Sequence, residues 1–100
     1  MKWPEKIEHY DGYRMQFDFD NYIVSVVQFT GSYGYKAGLW EVAFMDRETQ
    51  DFCEPPLDFL TEYRNADVGI YGHLNDPEVD RIVQAMGQLD SKENSNANND

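Results

Sequence analysis

The chain has 100 residues and a mass of 11.7 kDa, with 41% hydrophobic and 15% aromatic residues, and 19 Asp and Glu set against 8 Lys and Arg give a formal charge of −11. That length fits one domain and disfavours mechanisms that need two lobes, while the apolar fraction suffices for a real core. Such acidity repels nucleic-acid phosphates and anionic lipid, and the scattered cations form no basic patch, so direct binding to either is disfavoured and a basic partner is favoured.

Tyr13, Met15, Phe17 and Phe19 alternate with Arg14, Gln16 and Asp18, the period of two that predicts a half-buried strand. After the polar turn Asp18 to Asn21, the run Tyr22 to Phe29 is apolar on both faces and rich in β-branched residues, which predicts a central strand hairpinned to the first. Gly31 to Gly38 has three glycines and two tyrosines, a loop composition, and leads into a third strand from Leu39 to Met45. Asp46 to Asp51 reads as a polar turn. Phe52-Cys53 can begin a short edge strand, which Pro55-Pro56 must end because neither proline donates to a ladder. Leu57, Leu60, Thr61 and Arg64 fit two helical turns opened by Pro56, or equally a structured loop.

Val79, Ile82, Val83, Met86 and Leu89 form an apolar stripe at helical spacing. Pro77 suits the first helical position, which makes Asp76 the expected N-cap, and the helix is expected to end near Gly87 to Leu89. From Ser91 onward no apolar residue exceeds Ala97, so residues 91–100 read as a disordered polar tail behind a single domain over 1–90. The expected fold is α+β, an antiparallel sheet of three to four strands with the C-terminal helix packed on one face. A lone Cys53, no apolar signal core near the N-terminus and no apolar run approaching the roughly twenty residues of a membrane span set the expectation of a cytoplasmic protein.

Chemistry-bearing residues are few. Cys53, His9 and His73 lie on separate segments without a nucleophile motif, and three isolated Cys and His residues are too few for a zinc site at paired spacing. Asp18-Phe19-Asp20-Asn21 resembles half a calcium loop but lacks its glycine and terminal glutamate. Gly31, Gly34 and Gly38 with Lys36 fit no phosphate-binding fingerprint, because a strand follows instead of a helix. Neither a cofactor nor a metal is therefore expected. Glu41 shares a strand face with Leu39, Ala43 and Met45, where a carboxylate needs solvent or a hydrogen-bond partner.

Two features remain. Residues 1–50 have a net charge of −3 and residues 51–100 a net charge of −8, with Asp46, Glu48, Asp51, Glu54, Asp58, Glu62 and Asp67 recurring every two to five positions. Strung along a surface, such carboxylates would compete with nucleic acid for a basic groove; otherwise they form an ordinary solvated face. Tyr33 and Tyr35, among small residues, match the composition of surfaces that recognise proteins.

Phe17-Asp18-Phe19-Asp20-Asn21-Tyr22, Ser25-Val26, Gly31-Ser32-Tyr33-Gly34 and Gly38-Leu39-Trp40-Glu41-Val42-Ala43, followed by Asp67-Val68, Gly72, Leu74 and the amphipathic segment 77–89, resemble small uncharacterised bacteriophage proteins. The resemblance covers roughly residues 13–89, departing at Asn21-Tyr22 and at 57–66, and it implies phage or prophage origin without assigning a catalytic residue. Together with size and charge it leads to an expected function. The chain is expected to be a non-enzymatic accessory protein that inhibits a host nucleic-acid-handling defence complex, of the anti-CRISPR or anti-restriction type. Asp46, Asp51, Glu54, Asp58 and Glu62 are the expected mimicry charges, and Tyr33 and Tyr35 the anchors. An immunity protein against a nuclease toxin, a small enzyme using Glu41 or His73, and a virion or assembly component are the alternatives.

Overall fold

The computed structural model describes residues 6–63 and 68–98, with backbone alone at position 61 and over 90–98. Five strands, β1 (Ile7–His9), β2 (Gly12–Asp18), β3 (Tyr22–Gln28), β4 (Trp40–Asp46) and β5 (Ile70–Leu74), precede one helix, α1 (Asp76–Asn98). They form one antiparallel sheet in the order β1-β2-β3-β4-β5, so the fold is α+β and the doubly apolar β3 is indeed its central strand.

The sheet has one strand more than the upper expectation. β1 is three residues long and charged at Glu8, which leaves almost no alternation to detect. β5 hides its period behind a bulge: Trp40 pairs with Leu74 and Val42 with Tyr71, so Glu41 alone faces both Gly72 and His73. His73 takes φ 61, and the extra residue lets both Tyr71 and Leu74 enter the core.

The expected edge strand at Phe52-Cys53 contracts to a single bridge between Phe52 and Met45, because β5 already occupies the first half of the outer edge of β4. Gly69 stands where the two segments meet. Its carbonyl accepts the Phe44 N–H at 2.9 Å, its φ is 76, and a Cβ there would lie 2.5 Å from the Cys53 carbonyl oxygen. Only glycine fits. The uncertain segment after Pro56 resolves into a 3-10 helix, Asp58–Tyr63, whose Leu60 is buried.

The N-cap of α1 lies one residue earlier than expected. The Asn75 side chain accepts the Glu78 N–H at 2.9 Å, the Glu78 carboxylate accepts the Asn75 N–H at 2.8 Å, and the Asn75 carbonyl accepts the first helical bond from Val79 at 3.0 Å. Asn75 is therefore the N-cap of a reciprocal capping box, and Pro77 sits one position further in than expected. This frees the Asp76 carboxylate to accept the Trp40 indole N–H at 2.7 Å, tying helix to sheet. The helical backbone continues to Asn98, past the end expected near Gly87 to Leu89 and into the stretch read as a disordered tail. Gly87 costs a helix interior only about 1 kcal/mol, and no proline follows it to break the backbone bonds.

Met15, Val24, Val26, Val42, Phe44 and Leu74 from the sheet meet Val79, Ile82, Val83, Met86 and Leu60, and most of this core is fully buried. The Phe44 and Tyr71 rings pack edge to face at 5.7 Å. The 3-10 helix is clamped to α1 by the Arg81 guanidinium 3.9 Å from the Phe59 ring centroid and by a hydrogen bond between Tyr63 and Glu78. That carboxylate partner, with smaller contributions from desolvation and the charges of Glu78 and Glu62, pushes the Tyr63 phenol up to about 12.

Candidate functional site

Strand register sorts the sheet into two faces, because directly opposed residues point the same way. The face away from α1 is a grid. Ile7, Arg14, Val27 and Glu41 form its first row, Gln16, Ser25, Ala43 and Ile70 its second, and Asp18, Ile23, Met45 and Phe52 its third. No described element packs over this face. It holds a shallow groove of 380 Å³, floored by Ser25, Val27, Ala43, Met45 and Ile70 and walled by Arg14, Glu41 and aromatic rings.

The rings form a rim. His9 lies 4.6 Å from Tyr10 and 5.0 Å from Phe29, and Tyr10 lies 5.1 Å from Phe29, centroid to centroid. Tyr10, held at φ 55 in the turn between β1 and β2, is 83% exposed, and Phe52 across the groove is 55% exposed. The Asp11 carboxylate accepts both the N–H and the hydroxyl of Thr30, fastening that turn to the chain beyond β3. These two bonds outweigh desolvation and hold the Asp11 carboxyl below its ordinary value of 3.8.

Glu41 is half-buried on this face and accepts the Tyr33 N–H at 3.1 Å, which satisfies the carboxylate. The Arg14 side chain, in the same row, makes neither an ion pair nor a hydrogen bond among the described residues.

The tyrosine loop sits at the start of β4. Ser32 is buried, with its hydroxyl donating to the Phe29 carbonyl at 2.8 Å and accepting the Phe29 N–H at 3.0 Å. Gly34 and Gly38, both left-handed, bracket the 3-10 turn Tyr35–Ala37. At Gly34 the conformation is obligatory, since φ is 90 and a Cβ would meet the His73 backbone at 3.0 Å. Tyr33 and Tyr35 are both exposed and border a hollow of 300 Å³ together with Lys36 and His73.

The expected mimicry charges are not gathered at one place. Asp46, the last residue of β4, lies about 20 Å from the tyrosine loop at the rise of an extended strand, with Asp51 in the turn beyond it. Glu54 is held beside Tyr71, while Asp58 and Glu62 stand on the 3-10 helix packed against the first turns of α1. Nor are they equivalent. Asp46 folds the turn after β4 by accepting the Glu48 and Thr49 N–H groups at 2.9 and 3.0 Å, and Glu54 accepts the Tyr71 hydroxyl at 2.8 Å. Asp51, in the turn, and Asp58 and Glu62, on the 3-10 helix, are exposed. Asp67 lies outside the described residues.

The nucleophile inventory gains nothing from the fold. Burial, followed by the charges of Asp46 and Glu54, pushes the Cys53 thiol up, away from a reactive thiolate. Among the described residues no three His, Cys, Asp or Glu side chains gather as a metal site. Asp18 to Asn21 is a turn: the Phe19 N–H donates to the Tyr22 carbonyl at 2.8 Å, and the Arg47 guanidinium donates to the Phe19 carbonyl at 2.7 Å.

The open face itself was not singled out from the sequence. Its signal was present in β3, where Ile23, Ser25 and Val27 continue the apolar character onto the face opposite Val24 and Val26. No helix of the described residues is long and apolar enough to cross a membrane. Comparison with family models, with curated proteins and with solved structures gives no match in any of the three.

Proposed function

We propose that this chain is a non-enzymatic inhibitor that docks on a basic, nucleic-acid-handling host protein or nucleoprotein complex, as a phage-encoded accessory protein acting in the host cytoplasm. The observation that carries the reading is the run of exposed carboxylates Asp51, Asp58 and Glu62 along the segment leaving β4, in a chain of net charge −11. A surface of that sign steers a cationic groove toward it and occupies the place of phosphates. Asp46 and Glu54 support the same segment structurally, through the turn and through Tyr71, and add charge without being free to move.

The test is charge reversal at the three projecting acids, Asp51→Lys, Asp58→Lys and Glu62→Lys together. Association with the captured target is expected to slow by roughly 10- to 1000-fold at low salt, and protection of a defence-sensitive phage is expected to be lost, with circular dichroism unchanged. Undiminished protection by the folded triple variant would remove charge mimicry. Capture of a cognate nuclease toxin in place of a defence complex would convert the reading to an immunity protein.

A further inference from the structure

The face of the sheet opposite α1 is complementary to itself, and we propose that two copies of this chain pair through it, open face to open face, with Arg14 of each copy set against Glu41 of the other. The argument starts from register. Arg14 and Glu41 both stand directly opposite Val27, one on β2 and the other on β4, so a cation and an anion flank the central strand at equal spacings of about 4.8 Å. A half-turn about an axis running along β3 just above Val27 exchanges the β2 side with the β4 side. It lays Arg14 over Glu41, Glu41 over Arg14 and Val27 over Val27. A two-fold interface requires this property, that each residue finds in the copy the group it complements.

The same half-turn lays Ser25 over Ser25 and Ile23 over Ile23, with Gln16 over Ala43 and Asp18, at the end of the grid, over Met45. The Arg14 guanidinium has no ion-pair or hydrogen-bond partner among the described residues, and Glu41 accepts the Tyr33 N–H with one oxygen. Between them the floor is apolar or small, with Val27, Ala43, Met45 and Ile70 around Ser25, and the groove of 380 Å³ gives a second sheet side chains to interdigitate with. Ile7, Tyr10 and Phe52 at the margins are 54%, 83% and 55% exposed, apolar area that a second sheet removes from water.

Net charge opposes the pairing, since each copy brings −11. Screening weakens that long-range repulsion more than it weakens the close Arg14–Glu41 contacts, so the dimer tightens as salt rises. A basic target on the acidic segment behaves in the opposite way, which keeps the two proposals separable.

The experiment is sedimentation equilibrium of the full chain over a micromolar to millimolar series at low and at physiological salt. Wild type is expected to show a monomer–dimer equilibrium that strengthens with salt. Arg14→Glu and Glu41→Arg are each expected to weaken it by about 100-fold, because both symmetry-related contacts turn repulsive at once. An equimolar mixture of the two variants is expected to pair again, since each supplies the charge the other lacks. Ser25→Lys, at a half-buried position on the same axis, sets like charges together without touching the Glu41 hydrogen bond and is expected to be monomeric. A wild-type chain that is monomeric throughout, a folded Arg14→Glu variant that dimerises as wild type does, or a mixture that fails to pair overturns the proposal.

Discussion

The two faces of this sheet are made by the same strands, and alternate residues of those strands have opposite fates. Val24, Val26, Val42 and Phe44 point toward α1 and are fully buried, whereas Ile23, Ser25, Ala43 and Met45, their neighbours in sequence, point away and stay half-buried, with Val27 between Arg14 and Glu41 the buried residue of that second face. Strand propensity does not separate the two sets. The covering layer does: α1 and the 3-10 helix close one face, and among the described residues Arg14, Glu41 and the rings of His9, Tyr10 and Phe29 shelter the other. Among the described residues that second face keeps its apolar side chains half-buried, and the pairing proposed above is what would remove them from water.

Breaking the covered face should have the largest effect. Phe44 is 0% exposed and meets Tyr71 edge to face, so Phe44→Ala is expected to cost about 3–5 kcal/mol, read from urea unfolding. Met45→Ala, one residue along and on the other face, is expected to cost about 1 kcal/mol or less at concentrations where the chain is monomeric. Equal costs at the two positions would erase the distinction between the faces.

The lid of the covered face gives a smaller and sharper test. Asn75 and Glu78 satisfy two backbone donors of the first turn of α1, beside the contact between Trp40 and Asp76. Asn75→Ala is expected to lower stability by about 1 kcal/mol, while Asn75→Asp, which keeps the accepting oxygen, is expected to hold it near wild type. Because the indole of Trp40 reports on this junction, its fluorescence in the two variants should follow the same order.

Where the sequence was legible, its periods were undisturbed. β2, β3, β4 and the apolar stripe of α1 follow from alternation and from helical spacing, and Glu41, expected to find either solvent or a hydrogen-bond partner, accepts the Tyr33 N–H. What escaped had its period broken or was too short to have one: β5 through the bulge at Gly72 and His73, β1 through its three residues. The N-cap was displaced by one because Asp76 and Asn75 are both good caps, and the choice between them is made by Trp40, which is 35 residues away from Asn75 in the chain and next to it only in the fold. The candidate site was the least legible part. Acidic residues at regular intervals look alike in a sequence, yet Asp46 builds a turn, Glu54 holds Tyr71, and Asp51, Asp58 and Glu62 are exposed on the turn and the 3-10 helix.

The smallest expected effect belongs to the rim of the open face, and its dependence on pH isolates it. The Asp11 carboxylate accepts two hydrogen bonds from Thr30 and so keeps Tyr10 beside Phe29, the ring at the end of β3. Its folded pKa lies below the ordinary value of 3.8, so the fold favours the charged form. The stabilisation is therefore complete above 3.8 and is lost as pH falls through the lower folded value. Carboxyl-carbon NMR should place the Asp11 midpoint below 3.8, and the Thr30 amide should lose protection in the same window while the Val26 and Phe44 amides of the covered face keep theirs. Asp11→Ala should leave Thr30 unprotected at neutral pH, with the core amides again unchanged. A midpoint at or above the ordinary value, or simultaneous loss of protection at Thr30 and Phe44, would mean that the rim is not an independent feature of the open face but part of the same cooperative unit as the core.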